Sequence, residues 1–126
     1  MMRLENDLLD LILSVKNKKL SEQKIFWKKN PCITVVAAAK GYPEKYKTKT
    51  HIKNLETIEN NFTQQLFHAG TIEVNKKILT NGGRVLNATV LASSLQEARN
   101  KAHQMLDLLD WEDKYFRRDI AWRAIK

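Results

Sequence analysis

The segment from Ser94 to Asp110 carries the clearest structural signal in this sequence. Ser94-Leu-Gln-Glu97 matches a capping box, in which the serine side chain accepts a backbone hydrogen bond at the start of a helix. Such a cap contributes about 1 kcal/mol. Six apolar residues then recur at helical spacing: Leu95, Ala98, Ala102, Met105, Leu106 and Leu109. We therefore predict an amphipathic helix that ends near Asp110, with His103 on its solvated side.

Short runs of β-branched and apolar residues elsewhere predict strands. Five are expected: Cys32–Ala39, the end of Asn60–Phe67, Thr71–Val74, Lys77–Thr80 and Arg84–Ala92. Asn75-Lys76 is a plausible tight hairpin turn, and Asn81-Gly-Gly83 predicts a second turn whose glycines would supply a positive φ. Together with the helix, these elements predict an α+β fold, mostly antiparallel β-sheet with flanking helices.

The first thirty residues have a different character. Met1–Val15 has apolar residues at helical spacing and predicts a helix that begins at Met1. No capping residue can precede such a helix, which favours a chain cut from a longer protein. Its apolar stripe is expected to pack against missing sequence or against a second copy of the chain. Lys16–Asn30 is basic and is interpreted as a connector that includes a short strand.

Charge narrows the choice of partner. The 126 residues include 22 basic and 14 acidic side chains, a net charge of +8, which suits nucleic acid, a phosphorylated metabolite or an acidic protein surface. No apolar run reaches the roughly 18 residues of a membrane span, and three acidic residues among the first ten argue against a signal peptide. The single cysteine, Cys32, is expected to be a buried strand residue and fits a reducing, cytoplasmic location.

Few residues form a pattern that is typical of a catalytic, metal-binding or ligand-binding site. His51, His68 and His103 share no metal-ligand spacing, so no metal site is predicted. No nucleotide-binding fingerprint and no catalytic constellation is present either. Arg84 directly follows Gly82-Gly83, where exposed backbone N–H groups and a guanidinium fork could bind a phosphate. The alternative is a plain hairpin turn with Arg84 paired to a carboxylate.

Two further features of the sequence allow more than one interpretation. Arg117 and Arg118 precede Asp119, and such neighbours usually form a structural ion pair. Nucleic-acid binding would need basic residues interleaved with exposed aromatic residues. Here the lysines are spread over several loops, and four aromatic residues in strand-like runs are expected in the core: Phe26, Trp27, Phe62 and Phe67. A stand-alone basic nucleic-acid-binding module therefore stays as the alternative reading.

Several motifs together are more specific than composition and periodicity. Phe67-His-Ala-Gly-Thr71, Thr80-Asn-Gly-Gly-Arg-Val-Leu86 and Tyr115-Phe-Arg-Arg-Asp-Ile-Ala-Trp-Arg-Ala124 resemble, in order and spacing, the C-terminal region of phosphoribosylamine–glycine ligases. Gly41-Tyr-Pro43 looks like the family's Gly-Tyr-Pro loop. Arg3-Leu-Glu-Asn-Asp-Leu8 looks like the stretch just after the family's Arg-Phe-Gly-Asp-Pro-Glu signature. The family usually has glycine at the positions of Glu44 and Ala121, and often at that of Lys49.

The resemblance implies a part of an ATP-grasp ligase of purine biosynthesis, which joins glycine to 5-phosphoribosylamine with ATP. ATP and Mg would bind upstream of this chain, in the full-length enzyme, so the fragment alone is expected to be inactive. Residues 1–30 would end the ATP-grasp core, and residues 31–126 would form the C-terminal domain. In a related formate-dependent transformylase, an Arg similar to Arg84 meets the ribonucleotide phosphate.

The resemblance therefore implies a domain that forms one wall of the active site and closes its cleft. Arg84, Gly83 and Gly82 would bind the substrate phosphate. It assigns no role to the Gly41-Tyr42-Pro43 loop or to Arg117 and Arg118. A third reading is a degenerate or split-gene fragment with a structural role only.

Overall fold

The computed structural model describes residues 1–125 and has an α+β architecture, as predicted. The elements are α1 (Leu8–Lys16), β1 (Cys32–Ala39), β2 (Gln64–His68), β3 (Thr71–Val74), β4 (Lys77–Thr80), β5 (Arg84–Leu91), α2 (Leu95–Leu108) and β6 (Lys114–Tyr115). Within the described chain, none of the helices has both the length and the apolar character needed to cross a bilayer.

Four strands form an antiparallel sheet in the order β2-β5-β1-β6. β5 lies at the centre, with Val35 of β1 opposite Ala88 and Leu66 of β2 opposite the same residue. The register shifts between Ala37 and Ala38, which places Ala38 opposite Arg84. Arg84, the first residue of β5, therefore lies at one end of this central strand, beside the turn that precedes it.

The predicted hairpin is confirmed. β3 and β4 pair around Asn75 and Lys76, whose φ angles of 50° and 61° belong to the left-handed region. Such angles match the twist of the two strands that a two-residue turn connects.

The core lies between α2 and one face of the sheet. Ile33, Val35 and Ala37 of β1 point into it because alternate residues of a strand share a face. The predicted stripe of α2 packs onto them, with Ala98, Ala102 and Leu106 fully buried and Met105 nearly so. The helical periodicity thus identified the correct face.

Within residues 1–125, no helix packs on the opposite face of the sheet, and we call it the open face. It carries Thr34 and Val36 of β1, Phe67 of β2, Asn87 of β5 and Tyr115 of β6, as the strand register requires. Val36, Phe67 and Tyr115 are between 38% and 55% exposed. Such a partly apolar and exposed sheet face is a candidate contact surface.

The N-terminal helix begins at Leu8, so the prediction that it begins at Met1 is wrong. Asp7 caps it, because its carboxylate accepts hydrogen bonds from the N–H groups of Leu9 and Asp10 at 2.7 and 3.4 Å. Asn6 is tied instead to the backbone of the connector, accepting from Phe26 N–H at 2.6 Å. These side chains satisfy backbone groups outside the helix and stop it there.

Three burial predictions are also corrected. His103 is half-buried, because the chain after β6 folds back and brings Phe116 to 5.8 Å between the ring centroids. Phe26, Trp27, Phe62 and Phe67 are exposed, Phe62 to 91%. Cys32 lies in β1 as expected but is only half-buried, since it faces the open side of the sheet. Burial still raises the pKa of its thiol.

Candidate anion-binding site

Arg84 opens β5 and lies at the rim of a cavity of about 230 Å³ over one end of the open face. The floor of the cavity is Thr34, Val36 and Ala38, because even-numbered residues of β1 face this side. Its walls are largely aromatic: Tyr42, Tyr115, Phe116 and Ile120. Two arginines, Arg84 and Arg117, therefore lie beside a largely apolar recess.

The guanidinium of Arg84 is exposed and has no ion-pair or hydrogen-bond partner among residues 1–125. Its nearest defined contact is the ring of Tyr42, whose centroid lies 5.7 Å from Cζ. The alternative in which Arg84 pairs with a carboxylate is therefore not observed. A free guanidinium keeps its planar donors available for a carboxylate or phosphate ligand.

The Gly82-Gly83 turn differs from expectation. Neither glycine has a positive φ, so that part of the prediction is wrong. Close contact explains them instead: a Cβ on Gly83 would lie 1.9 Å from Cδ2 of Tyr42, and one on Gly82 would lie 3.1 Å from Cα of Gly70. In the described part of the chain, neither N–H group donates to a backbone carbonyl or a side chain. Both N–H groups, that of the buried Gly83 included, thus have no partner in the described residues.

The Gly41-Tyr42-Pro43 loop joins this site, which the sequence did not reveal. Gly41 has a φ of 96°, and a Cβ there would come within 2.2 Å of the Lys45 carbonyl oxygen. The Tyr42 N–H donates to the Ala39 carbonyl at 3.1 Å. These contacts bend the chain sharply after β1 and direct the Tyr42 ring towards Gly83 and Arg84. No local pattern could signal a contact across forty residues.

Lys49 is a second positive charge near the turn. Its ammonium donates to the side-chain oxygen of Asn81 at 2.7 Å, and its N–H donates to the Thr80 carbonyl at 2.6 Å. Its φ is 66°, a value that glycine adopts readily, and the family that the sequence resembles often has glycine at this position. The loop before the hairpin and the turn after it therefore meet, and only the folded chain shows this.

Arg117 and Arg118 are both neutralised by carboxylates. Arg117 lines the same cavity as Arg84 but forks onto Asp119 at 2.9 and 2.6 Å, which is the expected ion pair. Arg118 instead pairs with Asp107 of α2 and stacks on Phe116 at 4.5 Å. The pKa of each carboxyl is lowered, first of all by the hydrogen bond from its arginine. Arg84 is the arginine at this cavity that stays free for a ligand.

Metal binding has no support in the described residues. Residues 1–125 contain no group of three or more histidine, cysteine or acidic side chains close enough to hold an ion. His68 hydrogen-bonds Thr71 at 2.9 Å, and His51 lies beside β4, so the histidines are separate. The unpaired guanidinium of Arg84 makes this end of the open face a candidate site for an anion.

Three comparisons with known proteins agree with one another. A family model described as "Phosphoribosylglycinamide synthetase, C domain" matches residues 32–123. A phosphoribosylamine–glycine ligase of Brucella melitensis is 42% identical over 126 residues, covering 100% of this chain and 30% of the relative. The chloroplastic phosphoribosylamine–glycine ligase of Arabidopsis thaliana is 38% identical over 128 residues, 100% of this chain and 24% of that protein.

Among solved structures, the crystal structure of phosphoribosylamine–glycine ligase from Thermotoga maritima is similar, with a TM-score of 0.68 and 29% identity. The match covers 86% of this chain and 27% of that one. The chain therefore spans about 30% of the length of the curated relatives it matches.

Proposed function

The chain belongs to the phosphoribosylglycinamide synthetase C-domain family, and from this membership we propose that it is the C-terminal part of a phosphoribosylamine–glycine ligase. Such an enzyme joins glycine to 5-phosphoribosylamine with ATP in purine biosynthesis. In this proposal the open face forms one wall of the active site. Arg84, Gly83 and Gly82 bind the substrate phosphate there. The unpaired guanidinium of Arg84, next to a turn whose two glycine N–H groups have no partner in the described residues, is the observation that supports this assignment.

The chemistry of the site favours a phosphate. A guanidinium and adjacent backbone N–H groups are complementary to several oxygens of one tetrahedral anion. Phosphoribosylamine carries its phosphate at C5 and its reacting amine at C1. A protein that binds the phosphate therefore orients the amine without contacting it. Binding energy from the phosphate, far from the reacting atoms, is used to position the amine for reaction.

We further propose that residues 1–30 end an ATP-grasp core and that residues 31–126 form the C-terminal domain. The family match begins at residue 32. The N-terminal segment also makes its own contacts, with Glu5 and Lys28 in backbone hydrogen bonds to Phe26 and Arg3 at 3.0 and 2.8 Å.

ATP and Mg belong, in this proposal, to the remainder of a longer protein. Residues 1–125 offer no acidic cluster that fits a metal ion, and no step of the reaction is assigned to them. A reducing, cytoplasmic compartment suits a chain whose single cysteine can form no intrachain disulfide.

A chimera tests the proposal. This chain would replace the matching C-terminal segment of the Brucella melitensis ligase, and ADP formation would be measured with glycine and phosphoribosylamine. We expect turnover, and its complete absence in a folded chimera would contradict the proposal.

Arg84→Ala in that chimera should raise the KM for phosphoribosylamine roughly 10- to 100-fold, because a hydrogen bond to a charged group contributes about 1.5–3 kcal/mol. The constants for glycine and ATP should stay the same, since neither carries that phosphate. Arg99→Ala is the matched control, because Arg99 lies on α2 at the other side of the sheet. An unchanged phosphoribosylamine KM would refute the phosphate role.

One observation favours a second candidate, nucleic-acid binding. Phe26 and Trp27 are more than half exposed and are flanked in sequence by Lys24, Lys28 and Lys29, whereas the sequence predicts a buried position for both rings. Exposed aromatic and basic side chains together can stack on bases and contact phosphates. A single-stranded oligonucleotide titrated at several salt concentrations decides this. Binding that weakens steeply with salt would support the alternative.

A further inference from the structure

The Gly41-Tyr42-Pro43 loop has no part in the function proposed above, yet Tyr42 contacts both Gly83 and Arg84. We infer that Tyr42 is a positioning residue for the anion site: its ring rests against Gly83 and holds the Arg84 guanidinium where a phosphate can meet it. This inference rests on the proposed role of Arg84 and adds a role for the loop.

The Tyr42 ring packs directly against Gly83. A methyl group on Gly83 would come within 1.9, 2.4 and 2.8 Å of three ring carbons of Tyr42, which is far inside van der Waals contact. Gly83 does not have a positive φ, so the backbone conformation does not require glycine there. The absence of a side chain at Gly83 is therefore explained by the position of the tyrosine ring.

The loop holds Tyr42 from the other side. The Gly41 carbonyl accepts a hydrogen bond from the Glu44 N–H at 2.9 Å, and Tyr46 meets the Tyr42 ring edge-on at 5.9 Å between centroids. The ring thus lies between its own loop and the Gly82-Gly83 turn, and Tyr42 remains 38% exposed.

Arg84 gains its orientation from this ring. Cζ of Arg84 lies 5.7 Å from the centroid of Tyr42, within the range in which a guanidinium is attracted to an aromatic face. The strand register fixes the position of the Arg84 Cβ but not that of the guanidinium. No carboxylate in residues 1–125 pairs with the guanidinium and restrains it. Restricting the free rotamers before binding lowers the entropic cost of immobilising the side chain on a ligand.

The Tyr42 hydroxyl forms no hydrogen bond within the described residues, so the ring and not the hydroxyl should matter. This separates positioning from a direct contact between Tyr42 and the ligand. Tyr42→Phe keeps the ring, whereas Tyr42→Ala removes it. Phe62→Ala is the matched control, because it deletes an aromatic side chain that is 91% exposed and outside this cavity.

The test is an NMR titration of the 126-residue chain with ribose 5-phosphate, followed on backbone amides, with melting curves for each variant. Arg84→Ala should cause the largest loss of affinity. Tyr42→Ala should weaken binding roughly 2- to 5-fold, as expected for loss of a cation–π contact, and Tyr42→Phe should restore it. Gly83→Ala, which displaces the ring, should weaken binding at least as much. In the Arg84→Ala background, Tyr42→Ala should have no further effect.

The outcomes separate the two proposals. If Arg84→Ala weakens binding but Tyr42→Ala behaves like Phe62→Ala, Tyr42 is not a positioning residue and the phosphate role of Arg84 stands. If Tyr42→Phe is as weak as Tyr42→Ala, the hydroxyl contacts the ligand and the inference is wrong. If the unmodified chain does not bind ribose 5-phosphate, or if Arg84→Ala has no effect, the phosphate role of Arg84 fails and the inference about Tyr42 fails with it, whereas the chimera still tests the ligase assignment.

Discussion

Single residues in this chain show how position changes the properties of a side chain. His103 lies on α2 beside Phe116, and its Nε2 is buried with no hydrogen-bond partner among the described residues. Burial lowers its pKa, and the nearby charges of Arg118 and Arg99 act in the same direction. A hydrogen bond with the Arg117 backbone and the charge of Asp107 oppose this shift. The neutral imidazole is therefore the form that fits the folded chain.

This pKa shift predicts a stability change in weakly acidic solution. Because the folded His103 binds a proton less readily than the unfolded one, stability is complete above pH about 6.5 and falls as pH decreases towards the lowered folded pKa. His103→Leu should flatten the dependence of the unfolding free energy on pH between about 7 and 5. Urea unfolding at several pH values measures this. An identical slope in both proteins would contradict the prediction.

Lys49 has a backbone conformation that L-residues adopt at a cost. Its φ of 66° belongs to the left-handed region, where a Cβ is unfavourable by about 1–2 kcal/mol, partly offset by the greater freedom of glycine in the unfolded chain. Lys49→Gly should therefore stabilise the chain by about 0.5–1 kcal/mol. Thermal unfolding should show a small rise in Tm. Lys45→Gly, at a position without a positive φ, should not raise it.

At the scale of elements, α2 is held at both ends by side chains. Ser94 accepts a hydrogen bond from the Glu97 N–H at 3.1 Å, as the capping box predicts. The Glu97 carboxylate does not return to Ser94 but accepts from the N–H and hydroxyl of Ser93 at 3.2 and 2.5 Å. At the other end, the Lys114 ammonium donates to the carbonyls of Leu106 and Leu109. Both helix ends thus have their free backbone groups partly satisfied.

The N-terminal cap predicts sensitivity to strong acid. Hydrogen bonds from Lys101 and Ser93 lower the pKa of Glu97 to about 2. Its contribution to stability is therefore present above its ordinary pKa of 4.5 and is lost as pH falls through about 2. Glu97→Gln should be less stable than the wild type at pH 7, and the difference should shrink between pH 4.5 and 2. Helix content followed by circular dichroism during unfolding checks this, and a constant difference would argue against it.

At the scale of the whole molecule, two surfaces stay uncovered. None of the α1 side chains is buried, and Leu8, Leu9, Ile12, Leu13 and Val15 are between 43% and 62% exposed. The open face adds Val36, Phe67 and Tyr115. An apolar helix face and an apolar sheet face on one small chain favour contact with further protein.

The exposed helix predicts self-association of the chain by itself. Sedimentation at micromolar concentrations should show species larger than the monomer, because nothing in residues 1–125 buries the apolar side chains of α1. Replacing Leu9 and Ile12 by lysine should shift the chain towards monomer, whereas Phe62→Ser, a change at one isolated exposed ring, should not. A stable wild-type monomer over this range would refute the prediction.

Local patterns determined much of the fold. β1, the β3–β4 hairpin and the buried face of α2 agree with the sequence because alternation, turn residues and helical spacing act between residues a few positions apart. Arg84 was singled out by its neighbours Gly82 and Gly83, although the reason for the glycines was different.

The tertiary structure alone decided the contacts around that arginine. Tyr42 meets Gly83, Lys49 meets Asn81, and Phe116 covers His103, all over separations that no short-range period encodes. It also left Trp27 exposed in a run that had indicated a buried strand. The physical reason is that local patterns record which side of an element is apolar, whereas chain reversals and strand register decide what that side meets.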